Sequence, residues 1–455
     1  MKKRMSDPKR LPKRPSWREY QYQLKKPAKH FPRRHLVLAL SVVSALVICL
    51  YMGWPSTGAT NVAPTASKIE PLTVAAPSLS KKDVQVLLSG IEPNDLLAEE
   101  VHMPFKGQAF TVETNLDKTL HSRLLDAMDR KNSRYIGIVV MEPKSGRILA
   151  MAGFDKTHPG VNPCLRSTFP AASLFKIVTA AAAVDQCGYS GKTLVRFNGY
   201  KHTLYKNQLK EVNNRYTHTI SFGASFAQSI NPVFGKLGQL YLGKRTLEEY
   251  GLGFGFNQPL DFELPVAPSN LVIHERPYHW AEIACGFNVE TTISPLHAAV
   301  MAASVLNRGR MIPPTLVDRI VDDDGREIYR AHASWEQRAM TTRASTVLAE
   351  MMEKTVQSGT ARKLFRGSKR DPILSRLRIG GKTGSIFNRK HDARFDWFVG
   401  FAQEKEGPSQ LVVAALVAHE KYIGIRAGTY ARMAMKHYFR EQLAQHKEAA
   451  VRSNS

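Results

Sequence analysis

Ser173 and Lys176 stand three residues apart in Phe169-Pro-Ala-Ala-Ser173-Leu-Phe-Lys176-Ile-Val-Thr-Ala-Ala-Ala-Ala-Val184. Pro170 suits the first turn of a helix, and nothing from Ala171 to Gln186 breaks one. Three residues apart on a helix, the two side chains share a face. A serine hydroxyl is a weak nucleophile until a neighbouring base takes its proton. An amine can be that base once desolvation or nearby positive charge lowers its pKa. A helix N-terminus adds backbone N–H groups for a developing oxyanion. The spacing alone is a weak signal, because Ser6-Asp-Pro-Lys9 and Ser78-Leu-Ser-Lys81 share it in polar surroundings.

Two later stretches add chemistry. Ser229-Ile-Asn231 places a hydroxyl and an amide two residues apart before Pro232, and no other Ser-x-Asn occurs. Taken by itself it reads as a helix cap rather than a catalytic pair. Lys382-Thr383-Gly384-Ser385 offers a cation and hydroxyls suited to a carboxylate, with Gly384 letting a ligand come close to the backbone. Alone, it could be a glycine turn with a solvated lysine.

The elements that must position these groups follow from hydrophobic patterning. Tyr135–Met141 and Arg147–Ala152 flank Glu-Pro-Lys-Ser-Gly and predict an antiparallel hairpin, so apolar that both faces are expected to be covered. Helices are predicted around 116–129, through much of 219–250, and over 294–308, 343–357 and 427–446. Strands are predicted from Leu377, over Trp397–Ala402 and over Gln410–Val417. Strands early and late with helices between them predict an α/β chain whose sheet draws on both ends. Tyr250-Gly-Leu-Gly-Phe-Gly-Phe256 carries a G-x-G, but no strand precedes it and no phosphate-binding helix follows, so a nucleotide site is not expected.

The charge is unevenly placed. The first 35 residues contribute +11 of the formal net +25. That basic tail (1–35) ends against Leu36–Trp54, nineteen residues without a charge. As a helix this run spans about 28 Å, enough for a bilayer core. Basic residues on its N-terminal side keep that end cytoplasmic and send the rest out of the cytoplasm. A membrane flank explains the tail better than nucleic acid does. Residues 55–80, rich in Pro, Ala, Thr and Ser, read as an extended linker. A small N-terminal segment (81–109) precedes the main domain (110–442), and 443–455 form a polar tail. An exported compartment permits a disulfide between Cys164 and Cys187, which bracket the Ser173 helix; the alternative is two buried thiols.

Taken together and in this order, Ser-x-x-Lys, Ser-x-Asn and Lys-Thr-Gly resemble the transpeptidase domain of the penicillin-binding proteins, in the serine β-lactamase and D,D-peptidase superfamily. The resemblance runs from about 110 to 440 and includes Thr291-Thr-Ile-Ser-Pro-Leu-His-Ala298, Gly359-Thr360-Ala361 and Phe395-Asp-Trp-Phe-Val-Gly-Phe401. It implies a mostly antiparallel five-stranded sheet flanked by helices, plus an all-helical lobe, behind the single transmembrane helix. It implies that Ser173 attacks the carbonyl between two D-alanines of a peptidoglycan stem peptide while Lys176 takes its proton. Ser229 would pass a proton to the leaving amine, and Asn231 would hold Lys176 and the substrate amide. Lys382 and Thr383, with Gly384 and Ser385 beside them, would bind the terminal carboxylate. The Ser173 and Ser385 backbone N–H groups would form the oxyanion hole. No metal or other cofactor is implied. β-Lactams become expected ligands, and glycosyltransferases or other cell-wall synthesis proteins candidate partners. The setting implied is the bacterial cytoplasmic membrane, with the catalytic domain expected on its outer side.

The chain departs from the family pattern in two places. The stretch between Trp54 and residue 110 is too short for a glycosyltransferase domain, and Cys285-Gly-Phe-Asn288 stands where relatives often carry a Gly-Gln-Gly-like turn. A D,D-carboxypeptidase would use the same residues with water as acceptor. A class D-like β-lactamase or a membrane-anchored β-lactam sensor domain is a further alternative, against which Asn231 argues because those proteins generally carry Val there.

Overall fold

The computed structural model describes residues 79–105, 107–332 and 337–454. The basic tail, the run Leu36–Trp54 and nearly all of the linker lie outside them. Among the described residues no helix is long and apolar enough to cross a membrane.

Five strands form the central sheet: β1 (Ser133–Met141), β2 (Ile148–Asp155), β3 (Leu377–Phe387), β4 (Arg394–Glu404) and β5 (Gln410–His419). Their order is β3-β4-β5-β1-β2, so the C-terminal strands pair onto the N-terminal hairpin. Every pairing is antiparallel. The period-2 alternation of side chains sorts the strands into two cores. Val139, Met141, Val412, Ala414 and Leu416 face one, while Ile138, Val140, Val413, Ala415 and Val417 face the other. The second face is covered by α1 (Lys118–Asp126) through Leu120 and Leu124, and by the terminal helix through Tyr430, Ala431, Met435 and Phe439. Both faces are covered, which is why neither hairpin strand shows a polar face in the sequence.

The first face carries the helices that build the site: α2 (Lys176–Cys187), α3 (Pro277–Cys285), α4 (Pro295–Leu306) and α5 (Thr342–Gln357). α2 can lie deep because its middle is small; Ala180 to Ala183 have no exposed surface. It ends at Gly188, whose left-handed φ of 68° costs glycine nothing. α4 is buried from Pro295 to Val305, capped by Ser294, whose hydroxyl accepts from the His297 N–H at 3.1 Å.

Three features depart from the sequence reading. The helical lobe is not all-helical: Leu194–Asn198 and Thr217–Ser221 form a hairpin, and the first of these strands alternates exposed and buried residues. A four-stranded antiparallel sheet joins Glu100–Phe105 and Gln108–Thr114 to Val317–Asp322 and Glu327–Arg330. One of its strands runs across position 109/110, and the terminal helix α6 (Ala427–Asn454) runs across 442/443. Cys164, Cys187 and Cys285 are free thiols, so the Cys164–Cys187 disulfide does not form. The Cys164 thiol is turned into the sheet, 3.4 Å from the Ala152 carbonyl, whereas Cys187 lies at the far end of the 12-residue α2.

Candidate active site

Ser173 does not lie on the α-helix itself. It occupies a 3-10 turn, Ala172–Phe175, that leads directly into α2 at Lys176. Ala172 takes φ of 49°, unusual for a residue with a Cβ. The turn is braced from two sides. Trp397 on β4, with 1% of its surface exposed, donates its indole N–H to the Pro170 carbonyl at 2.9 Å. Gly286 presses on the other side, where a Cβ would lie 1.8 Å from the Ala172 carbonyl oxygen. At that contact only glycine fits.

Lys176 has no exposed surface. Its Nζ donates to Ser173 Oγ at 2.9 Å, Asn231 Oδ1 at 2.8 Å and the Cys285 carbonyl at 2.5 Å. All three acceptors are neutral. Burial without a counter-charge pulls the Lys176 pKa down to about 8. The backbone of the preceding loop fixes the Asn231 amide: Lys201 O accepts from Asn231 N at 2.7 Å, and His202 O from Nδ2 at 3.1 Å. Those contacts turn Oδ1 toward Lys176.

Ser229 lies between Phe222–Ala227 and Asn231–Lys236, in a left-handed conformation with φ of 55°. Two of the five non-glycine residues with positive φ among the described residues, Ala172 and Ser229, belong to this site. Such outliers persist where the surroundings over-determine them. Lys382, also without exposed surface, donates to Ser229 Oγ at 3.0 Å and to the Thr383 carbonyl at 2.9 Å. Burial and the charge of Lys176 both push its pKa well down.

Lys382, Thr383, Gly384 and Ser385 are part of β3, an unbroken strand at the edge of the sheet rather than a turn between strands. An edge strand keeps one row of backbone N–H and C=O groups for an extended peptide. The Cβ position of Gly384 is 3.5 Å from the Ser173 backbone nitrogen, so the strand passes directly beside the Ser173 turn. The structure therefore brings together Ser173, Lys176, Ser229, Asn231, Lys382 and Gly384, with Thr383 and Ser385 continuing along the strand.

Residues 136–436 match the model of the penicillin binding protein transpeptidase domain. The chain belongs to the penicillin-binding protein transpeptidase family. Stage V sporulation protein D of Bacillus subtilis is 24% identical over 325 residues, 67% of this chain and 49% of that protein. Peptidoglycan D,D-transpeptidase PbpA of Mycolicibacterium smegmatis is 22% identical over 317 residues, 62% of this chain and 61% of that protein. The chain thus spans about half to three-fifths of these curated relatives. The D,D-transpeptidase domain of a peptidoglycan glycosyltransferase from Eggerthella lenta superposes with a TM-score of 0.60 at 22% identity, covering 73% of this chain and 83% of that one. PBPA from Mycobacterium tuberculosis gives 0.59 at 21% identity, covering 71% and 81%. At these identities the superpositions establish the shared fold.

In this member of the transpeptidase family, several neighbours of the site were not marked as site residues by their sequence. Thr360, in the Gly359-Thr360-Ala361 stretch, meets Thr383 hydroxyl to hydroxyl at 2.5 Å. The Cys285 contact is made by a backbone carbonyl, which no residue type advertises. The loop 201–202 acts through its backbone in the same way. Among the described residues no cluster of His, Cys, Asp and Glu could hold a metal ion.

Proposed function

We propose that this chain is a serine peptidoglycan D,D-transpeptidase that cross-links stem peptides and is acylated by β-lactams. The observation that carries this reading is the contact set at Lys176 Nζ: a buried amine, lowered toward neutrality, 2.9 Å from Ser173 Oγ and without a carboxylate partner. The activity is that printed for the mycobacterial PbpA relative. Acyl-enzymes with penicillin G and imipenem are known for the PBPA neighbour.

Ser173 Oγ attacks the carbonyl of the penultimate D-alanine while its proton passes to Lys176. The Ser173 and Ser385 backbone N–H groups receive the oxyanion. Collapse breaks the C–N bond, and the departing D-alanine amine takes a proton relayed from Lys176 through Ser229. Lys382, Thr383 and Ser385 hold the terminal carboxylate, with Gly384 giving the peptide close access to the strand. An amine of a second stem peptide then attacks the ester, loses a proton to Lys176 and frees Ser173. No cofactor enters this sequence.

The products decide the reading. Purified protein given pentapeptide-bearing muropeptides should release D-alanine and form cross-linked dimers visible by mass spectrometry. Tetrapeptide monomers alone would replace this reading with a D,D-carboxypeptidase. The uncharged run Leu36–Trp54, behind a net +11 tail, supports a single-pass membrane anchor with the catalytic body outside the cytoplasm. Protease added to spheroplasts should remove the body and leave a short protected fragment; full-length protein in the soluble fraction would contradict the anchor. At the outer face of that membrane, glycosyltransferases that make the glycan strands are the expected partners.

A further inference from the structure

β3 continues past Ser385 to Phe387, and the chain returns through residues 388–393 to Arg394, the first residue of β4. In the register Phe387 pairs with Arg394 and Ser385 with Asp396. Strand alternation therefore puts Thr383, Ser385, Arg394 and Asp396 on one face. Arg394 Nη2 donates to Ser385 Oγ at 3.2 Å, and its guanidinium carbon lies 5.9 Å from the centre of the Phe387 ring.

The charges around Arg394 do not balance. Asp396 is taken by Arg426, at 2.8 Å and 3.3 Å, and by the Ala427 N–H at 3.1 Å. Its remaining contact toward the strand is Ser385 Oγ at 3.5 Å. Of the acids in the adjoining loops, Asp392 is held by Arg134 at 3.2 Å and Asn388 at 2.6 Å, and Glu290 pairs with Arg389 at 3.4 Å. Among the described residues no carboxylate forms an ion pair with Arg394. Arg426 takes the Asp396 carboxylate, so the Arg394 charge stands next to Ser385 without an ion-pair partner among the described residues. Arginine cannot discard that charge by losing its proton. Lys382 differs: it is sealed from water and committed to Ser229 Oγ and the Thr383 carbonyl.

We propose that Arg394 is a positioning residue for the substrate, whose guanidinium beside Ser385 supplies the permanent positive charge that holds the terminal carboxylate of the donor peptide and the corresponding carboxylate of a penicillin. The inference rests on the acyl-enzyme reading above and adds the source of its carboxylate recognition. Lys382 and Thr383 supply hydrogen bonds there, and Arg394 supplies charge.

The test compares the full-length protein in detergent with its Arg394→Gln and Arg394→Lys variants. Acylation rates are followed by intact mass with benzylpenicillin and with benzylpenicillin methyl ester, which lacks the carboxylate charge. Gln keeps a donor for Ser385 while removing the charge. Arg394→Gln should slow acylation by benzylpenicillin by about 10- to 100-fold, the value of a charge-assisted hydrogen bond, and change the methyl ester rate by less than about threefold. Arg394→Lys should recover part of the benzylpenicillin rate. Equal losses with acid and ester would mean that Arg394 merely supports the strand, and an unchanged benzylpenicillin rate would remove it from recognition; either result overturns the proposal alone. Wild-type protein that acylates with neither compound would overturn the acyl-enzyme reading and this proposal together.

Discussion

Asp155 and Lys176 are both sealed from water, with 2% and 0% of their surfaces exposed, and their surroundings are opposite. Burial pushes the Asp155 carboxyl up, but Thr157, the His158 N–H and the Arg166 guanidinium at 2.8 Å outweigh it and hold the carboxylate charged. Asp396 follows the same rule. Burial raises it, yet His419 at 3.8 Å and Arg426 at 2.8 Å win, and its pKa falls to about 2. Lys176 receives three hydrogen-bond acceptors and no negative charge. Burying a charge without a partner is costly, and such groups collect where chemistry is done. Arg166 and Arg426 keep structural carboxylates ionised, whereas the Lys176 amine is left without a counter-ion, the environment that the proposed base requires.

The largest effect should come from removing that amine. Lys176→Met keeps the length of the side chain and deletes the base, so acylation by benzylpenicillin should fall by about a thousandfold or more. Thermal denaturation should show no comparable loss of stability, because an unpaired buried charge has gone with it. Next comes pH. Lys176 is protonated below about 8 and a poor base there. Acylation should therefore rise about tenfold per pH unit from 6 toward 8 and then level off, as stopped-flow measurements across that range would show.

Asn231→Asp converts one environment into the other by giving Lys176 the carboxylate that the structural sites have. The lysine pKa should rise by a unit or more, moving the rate profile to higher pH and lowering acylation at pH 7 by about tenfold. The converse change is Arg166→Met, which leaves the Asp155 carboxylate buried without its cation. Chemical denaturation should register a loss of about 3 kcal/mol. Asp396→Asn should be milder, about 2 kcal/mol, with a diagnostic pH dependence. Because the folded-state pKa of Asp396 is depressed, its contribution is complete above the ordinary carboxylate range and is lost as pH falls toward 2. The stability difference between wild type and variant should therefore shrink on acidification.

Much of this arrangement could be read from the residues. Ser173, Lys176, Ser229, Asn231 and Lys382 are recognisable because their chemistry depends on residue type and spacing, and hydrogen bonds of 2.8 to 3.0 Å join Lys176 to Ser173 and Asn231, and Lys382 to Ser229. The hairpin β1–β2 and the strands β4 and β5 were legible because long apolar runs bounded by turns leave few alternatives. What escaped depends on backbone or on distant pairing. The Ser173 turn is 3-10 rather than α-helical, with Gly286 packed on the Ala172 carbonyl and Trp397 holding Pro170 just before it, residues more than a hundred positions away. The sheet joining Gln108–Thr114 to Val317–Asp322 links segments some two hundred residues apart, and its short strands carry little signal of their own. The carbonyls of Lys201, His202 and Cys285 set the site's hydrogen bonds without any side chain to announce them.

The account rests most directly on the nucleophile. Full-length protein treated with benzylpenicillin, digested with trypsin and analysed by fragmentation mass spectrometry should carry one penicilloyl group, on Ser173 of the peptide Ser167–Lys176. The adduct should persist in wild type and be absent from Lys176→Met under the same exposure. An adduct on another residue, no adduct on folded protein, or rapid return to the unmodified mass with release of hydrolysed antibiotic would contradict it.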